Sequence, residues 1–159
     1  MPLTDSQKMI SGSDARFKVV AAGRRFGKTY LSMSQMARVA RYPFSHVWYV
    51  TTTYSAAKNI MWSVLKEKLQ KIGWAKTFHE GALQATLING SVISLKGANN
   101  PDSLRGIGLD YLVLDEAAYV EERVWTEGLR PTLSDRGGGA LFISSPSGRN
   151  WFYNLWAMA

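Results

Sequence analysis

The stretch "VVAAGRRFGKTYLSMSQ", Val19 to Gln35, sets a polar, glycine-bearing turn between an apolar run and an amphipathic one. Loops that grip nucleotide phosphates are commonly written as glycine, four arbitrary residues, then Gly-Lys-Ser/Thr. Gly27-Lys28-Thr29 supplies the second half of that pattern, but counting back puts Ala22 in the first slot. What the chemistry requires decides whether this matters. Backbone N–H groups must converge on the β-phosphate, a lysine must reach the β- and γ-phosphate oxygens, and a hydroxyl must ligate Mg2+ at a helix N-terminus whose dipole favours anions. Lys28 and Thr29 suit the last two roles. The first glycine chiefly permits a sharp exit from the strand, a freedom Gly23 is expected to supply one place later. The flanks agree with a strand–loop–helix unit: Phe17 to Ala22 reads as a short buried strand, and Lys28 to Ala40 as a helix with Leu31, Met36 and Val39 among its apolar positions.

Further along, "SHVWYVTTTY" (Ser45 to Tyr54) reads as a second strand, after Tyr42-Pro43 breaks the preceding helix. Ser55 to Ile72 reads as a helix with Trp62, Leu65, Leu69 and Ile72 on its apolar face. Lys66, Glu67, Lys68 and Lys71 lie on the other face, as a solvated surface or, alternatively, a DNA contact. The period then changes. Ala85 to Ile88 and Ser91 to Leu95 flank Asn89-Gly90, which predicts a small antiparallel hairpin near residues 83–96. Glu121 to Leu129 and Asn150 onward read as helical, with a flexible "SDRGGG" turn between them.

Two more strands end in reactive groups. Tyr111-Leu112-Val113-Leu114 runs into Asp115 and Glu116. Laid parallel beside the first strand, it would carry Asp115 to a Mg2+-bound water and leave Glu116 to polarise the attacking water, so the pair points to ATP hydrolysis. Phe142-Ile143 runs into Ser144, Ser145 and Pro146. In a parallel sheet that end shares an edge with the other motifs. There Ser144 or Ser145 senses the γ-phosphate or, equally, caps the following helix. An α/β fold is expected, a P-loop nucleoside-triphosphatase whose mostly parallel sheet is sandwiched by helices.

Composition narrows the rest. The 159 residues suit one domain, and no apolar run approaches the roughly 20 residues a membrane helix needs. No membrane association and a soluble, cytoplasmic protein are expected. The absence of cysteine excludes disulfides and thiolate metal sites, and His46 and His79 are too few for a histidine-built zinc centre. The formal net charge of +7 suits a polyanion such as nucleic acid, or simply a soluble basic surface.

With three motifs in order, the chain resembles the ATPase half of the large terminase subunit of tailed bacteriophages, a DNA-packaging motor. The stretches that carry the likeness are "LTDSQ", "ARFKVVAAGRRFGKT", "VWYVTTTYSAAK", "NPDSLRGIGLDYLVLDEAA" and "VWTEGLRPTLSDRGGGALFISSPSGRNWFY". The resemblance implies that Gln7 sits by the adenine, and that Arg24 and Arg25 belong to an arginine-containing loop in which Gly23, Phe26, Gly27 and Tyr30 also attend the nucleotide. It implies that "ISSPSG" couples hydrolysis to motion. Double-stranded DNA read without regard to sequence, a portal, a small terminase subunit and a ring of identical subunits are the implied partners, with a monomer expected in isolation and the host cytoplasm as location. Such proteins carry a nuclease domain after the ATPase; residues 1–159 supply none of its acids and are expected to be a C-terminally incomplete ATPase domain. Arg105, after a flexible Asn-Pro-Asp loop and shortly upstream of Asp115, is the arginine-finger candidate, with a surface salt bridge as its alternative. Two other functions fit the same motifs: a helicase-type ATPase stimulated by nucleic acid, and a nucleotide-binding scaffold without turnover, against which Glu116 argues.

Overall fold

The computed structural model describes residues 3–23, 26–148 and 150–158. Its strands are β1 (Phe17–Ala21), β2 (His46–Thr51), β3 (Ala75–His79), β4 (Gln84–Leu87), β5 (Val92–Gly97), β6 (Tyr111–Asp115) and β7 (Gly139–Ser144). Its helices are α1 (Asp5–Ser11), α2 (Lys28–Ala40), α3 (Tyr54–Ala57), α4 (Ser63–Lys71), α5 (Arg130–Ser134) and α6 (Trp151–Met158). A π-helical stretch, Lys58–Trp62, joins α3 to α4, and another, Val124–Leu129, leads into α5. Among the described residues no helix is long and apolar enough to cross a membrane.

All seven strands share one sheet in the order β1-β7-β6-β2-β5-β4-β3. The first five run parallel, and β4 and β3 close the far edge antiparallel. The inner strands β2, β6 and β7 have helices on both faces and read as nearly continuous buried runs without alternation, whereas the edge strand β1, expected to be buried, has only Val20 buried. One face carries Val20, Tyr49, Val113, Leu141 and Ile143 beneath Leu31 and Met36 of α2 and Leu65 and Leu69 of α4. The other carries Trp48, Val50, Leu112, Leu114 and Phe142 beneath Trp125, Leu129, Leu133 and Phe152. Trp125 meets Phe142 edge to face, with ring centroids 4.7 Å apart. Each such side chain, fully withdrawn from water, stabilises the fold by about 1.5–3 kcal/mol.

Three details differ from the sequence reading. The hairpin is a continuation of the main sheet, because β5 pairs with β4 on one side and with β2 on the other. Its Asn89-Gly90 turn holds Gly90 at φ 86°, with the Phe44 ring where a β-carbon would stand. The edge strand β3 was not foreseen, since Lys76, Thr77 and His79 are exposed and leave no apolar run to recognise. Finally, β2 stops at Thr51, and Thr53 caps α3 by accepting from the Ala56 N–H at 3.0 Å.

Candidate active site

The order of the strands decides what meets at their C-terminal ends. The strand beside β1 is β7, not β6, so the expectation that the acidic strand lies next to the loop strand is corrected. The C-terminal end of β7 therefore falls between the loop after β1 and the carboxylates after β6, at the edge where parallel sheets bind ligands. Ala21 pairs with Ser144 and Asp115 with Ile143, which brings the three motifs level.

Ala22 is buried and extends the ladder by donating its N–H to the Ser144 carbonyl at 3.0 Å. It has no left-handed backbone, and neither has Gly23, where an added β-carbon would meet nothing within 4 Å. Neither position needs glycine's freedom, which corrects the role expected of Gly23. The demanding position is Gly27, which enters α2 as its N-cap at φ 82°, ψ 41°. No side chain caps that terminus, so the N–H groups of the first turn, with Lys28 and Thr29 among them, carry the positive end of the helix dipole toward the sheet edge. Arg24 and Arg25 lie outside the described residues.

Gln7 holds this loop from outside. Its Nε2 donates to the carbonyls of Phe26 at 2.6 Å and Gly27 at 3.2 Å, and its Oε1 accepts from the Thr4 N–H at 3.0 Å. Thr4 Oγ1 in turn accepts from the Gln7 N–H, a capping box that anchors α1. The buried amide is thus committed to the loop backbone in this state.

The Lys28 ammonium lies 3.2 Å from Glu116 Oε1 and donates to Ser145 Oγ at 2.9 Å. Ser144 Oγ donates to the Ser145 carbonyl and accepts from the Ala118 N–H. Asp115 is 3% exposed. Its Oδ1 accepts from the Glu116 N–H at 2.8 Å and its Oδ2 from the Tyr49 hydroxyl. Burial raises the Asp115 pKa above the ordinary aspartate value, an effect that the Tyr49 bond, the Glu116 N–H and Lys28 oppose. Tyr49 itself is pushed far upward by burial and by the neighbouring carboxylate, so it remains a donor. Glu116 takes a left-handed backbone, φ 54°, ψ 38°, a conformation that costs a non-glycine residue about 1–2 kcal/mol. The turn swings its carboxylate out of the strand and toward Lys28.

Tyr49 was missed by the sequence reading. Val113 is its partner across the β2–β6 pair, and Asp115 stands two residues further along the same face, within reach of a tyrosine ring. A tyrosine inside a mostly apolar strand was the available signal, because a buried hydroxyl needs an acceptor. Two other predicted residues, Tyr30 and Arg105, sit apart from this cluster. Tyr30 is exposed on α2 and lines a cleft with Leu3, Met33 and Lys68. Arg105 is exposed beside Arg123 and Glu127, and it makes no hydrogen bond or ion pair with any described residue. Thr29 is half-buried in the first turn of α2.

Among the described residues no three His, Asp or Glu side chains converge on one point. Mg2+ does not require such a cage, since it keeps several waters and takes one or two carboxylates together with substrate phosphates. A buried carboxylate, Asp115, and a hydroxyl at an uncapped helix N-terminus, Thr29, fit that donor set.

A lysine at the mouth of a helix, facing paired acids across a strand that ends in serine, is the constellation of a P-loop nucleoside-triphosphatase fold. The comparisons then narrow the class to a family. Residues 19–159 match the family described as terminase large subunit, T4likevirus-type, N-terminal, and the chain belongs to it. It is 34% identical over 172 residues to the terminase large subunit of Thermus phage G20c, and 36% identical over 146 residues to that of Escherichia phage T5. These alignments take in 96% and 89% of this chain but 35% and 33% of those proteins, so the chain spans about a third of their length. The large terminase ATPase domain of Thermus phage P74-26 superposes with a TM-score of 0.91 at 31% identity, over 99% of this chain and 70% of that one. The large terminase of a thermophilic bacteriophage, solved in complex with ADP, has the same fold: TM-score 0.81 at 19% identity, over 96% of this chain and 41% of that one.

Proposed function

We propose that the chain is a Mg2+-dependent ATPase whose hydrolysis drives double-stranded viral DNA into a procapsid. The observation that carries the reading is the Lys28 ammonium, bonded at once to Glu116 and Ser145 in front of the uncapped N-terminus of α2. From these positions, in this reading, a cation, a base and a polar sensor address one γ-phosphate. Lys28 and the first-turn N–H groups of α2 bind and orient the phosphates. Thr29 and Asp115 would hold Mg2+, which when bound would neutralise charge on the phosphates. Glu116 orients the attacking water and takes its proton, as the water oxygen bonds to the γ-phosphorus and the bond to the β–γ bridging oxygen breaks. The products are ADP and phosphate. Ser144 and Ser145 register the loss of the γ-phosphate, since Lys28 and the Ala118 N–H are bonded to them.

Gln7, proposed to sit by the adenine, also clamps the Phe26 and Gly27 carbonyls, and Gly23, Arg24 and Arg25 are the loop residues proposed to attend the nucleotide, while Tyr30, exposed in a separate cleft, is left without that role. Arg105, exposed and unpaired among the described residues, is the cation offered to a neighbouring subunit's nucleotide in a ring. A portal and a small terminase subunit are the other partners proposed, in the host cytoplasm. The test is ATP turnover with and without duplex DNA, for the unaltered chain and for Glu116→Gln. Stimulation by duplex of any sequence, abolished in the variant, is expected. Turnover that responds only to single strands, with strand separation, would favour the helicase alternative, and unimpaired turnover by Glu116→Gln would overturn its assignment.

A further inference from the structure

The opposite end of the sheet, where β1, β6 and β7 begin and α2 ends, holds an open cleft of about 370 Å³. Arg16 and Lys18 enter it from the start of β1, and Arg38 and Arg41 from the last turn and C-cap of α2. Two carboxylates share the cleft. Asp14 lies close enough to favour the charged form of Lys18, and Asp110 is neutralised by Arg136 at 2.8 Å. The balance is positive. Lys18 and Arg38 also repel one another, since both donate to the single carbonyl of Ser11. Burial and that neighbouring guanidinium push the Lys18 ammonium below its ordinary pKa. The carbonyl at the end of α1 accounts for their placement but leaves their net charge unmatched.

A second observation is independent of the charges. Tyr111, the first residue of β6, lines the cleft, is only 7% exposed, and has a buried hydroxyl with no hydrogen-bond partner. Such an orphan is unusual, because a buried hydroxyl without a partner costs about 1–3 kcal/mol. A cation cluster in need of negative charge and a donor in need of an acceptor ask for the same ligand, an oxyanion. At the rim, Arg41 lies over the ring of Tyr42, which is exposed. The cations thus line one open cleft that extends from the start of β1 to the rim at Arg41 and Tyr42.

We infer that this cleft binds neighbouring backbone phosphates of duplex DNA, with Lys18, Arg38 and Arg41 supplying the charge and the Tyr111 hydroxyl the hydrogen bond. The inference rests on the proposed DNA-moving role. It assigns the contact to the edge of the sheet remote from the nucleotide, so the two ligands occupy opposite ends of α2. Phosphate contact carries no sequence information, as a motor that passes over every sequence requires.

The test is anisotropy of a labelled random-sequence duplex titrated with the chain across a salt series. Losing Arg38 and Arg41 together (Arg38→Gln with Arg41→Gln) should make the slope of log affinity against log salt shallower by about 1–2, since each phosphate contact contributes roughly 0.9. Tyr111→Phe should weaken binding roughly 2- to 10-fold and leave the slope unchanged, because a neutral hydroxyl releases no counterion. Arg41→Gln alone keeps the test open if the double variant unfolds, as among the described residues the Arg41 side chain hydrogen-bonds only the Tyr42 hydroxyl, at 3.4 Å, and its slope should fall by about 1. ADP affinity should be unchanged in all three. Normal duplex binding by the variants would overturn the site and leave the DNA-moving role standing. Failure of the unaltered chain to bind duplex would overturn both. Calorimetric titration with inorganic phosphate is the remaining arm: tight binding lost in Tyr111→Phe, with duplex affinity untouched, would make this a free-anion site and refute the inference.

Discussion

Replacing Tyr49 by phenylalanine removes one oxygen from the centre of the molecule and tests how the site holds its buried acid. Tyr49 is fully buried, and its hydroxyl donates to Asp115 Oδ2. A hydrogen bond to a charged group contributes about 1.5–3 kcal/mol, and here its loss leaves one oxygen of a buried carboxylate unsolvated. Removing the hydroxyl opens too little space for a cavity penalty to dominate. A domain of this size is stable by roughly 5–15 kcal/mol, so the expected loss of about 2 kcal/mol is a sizeable fraction of it. The melting temperature should fall by roughly 4–8 °C, at about 2–4 °C per kcal/mol for a chain of this length.

The loss should also depend on pH, with a definite sign. Burial holds the Asp115 pKa above its unfolded value, so the folded chain keeps a proton that the unfolded chain has released. That contribution to stability is complete below the unfolded pKa and is lost as pH rises through the folded one. The Tyr49 bond favours the ionised carboxylate and so limits the loss. Without it the loss is larger and extends to higher pH. Urea unfolding of both proteins should therefore show a small deficit in acid, where Asp115 is protonated in both, and the full deficit near pH 8. A deficit of the same size at both pH values would show that the hydroxyl contributes packing alone, and no deficit at pH 8 would refute the bond.

Lys28→Ala should abolish nucleotide binding measured by calorimetry while leaving the fold intact, because the half-buried pair it breaks with Glu116 leaves a carboxylate that is 30% exposed and can hydrate. Glu116→Gln should bind ATP with near-normal affinity and hydrolyse it at least 100-fold more slowly, a general base contributing roughly 10²–10⁴-fold; Asp115→Asn should instead shift the Mg2+ dependence, and identical defects in the two would refute their separate roles. Gly27→Ala should lower stability by about 1–2 kcal/mol, since φ 82° disfavours a side chain and the new β-carbon would stand 2.5 Å from Gln7 Nε2. Gln7→Ala should weaken nucleotide binding, and the double variant should lose less than the sum of the singles; strict additivity in a thermal-shift cycle would separate Gln7 from the loop.

The parts of this fold legible in the sequence were those with a local signature. α2 was read to the residue, because Gly27 opens it and its apolar positions recur at helical spacing. The Asn89-Gly90 turn was equally plain. What the sequence left unspecified was adjacency. Nothing local to "LVLDE" or "LFISS" says which of the two strands lies beside β1, since both are apolar throughout and both are buried on two faces. The answer is a property of the whole sheet. It has a chemical consequence, because β7 in the middle is what brings Ser145 within 2.9 Å of Lys28.

The same limit explains why Tyr49 and the work of Gln7 were out of sight. Tyr49 reaches Asp115 only once β2 and β6 are known to be neighbours in a fixed register. Gln7 reaches the loop only once α1 has been folded back against α2. Glu116 shows the complementary case, in which the residue was legible and its conformation was not. A left-handed glutamate directly after a strand has no sequence signal, because the turn is imposed by its surroundings: the Asp115 side chain holds the Glu116 N–H, and Lys28 holds the carboxylate. Removing Lys28 takes away one of those restraints. The strain of about 1–2 kcal/mol is then opposed by the Asp115 bond and by the Glu116 carbonyl, which accepts from the Tyr119 N–H at 2.9 Å, so the site's geometry depends in part on the lysine proposed to bind the phosphates. If a phosphate draws Lys28 away as proposed, Glu116 exchanges a cation for water, the state in which the proposed base is of use.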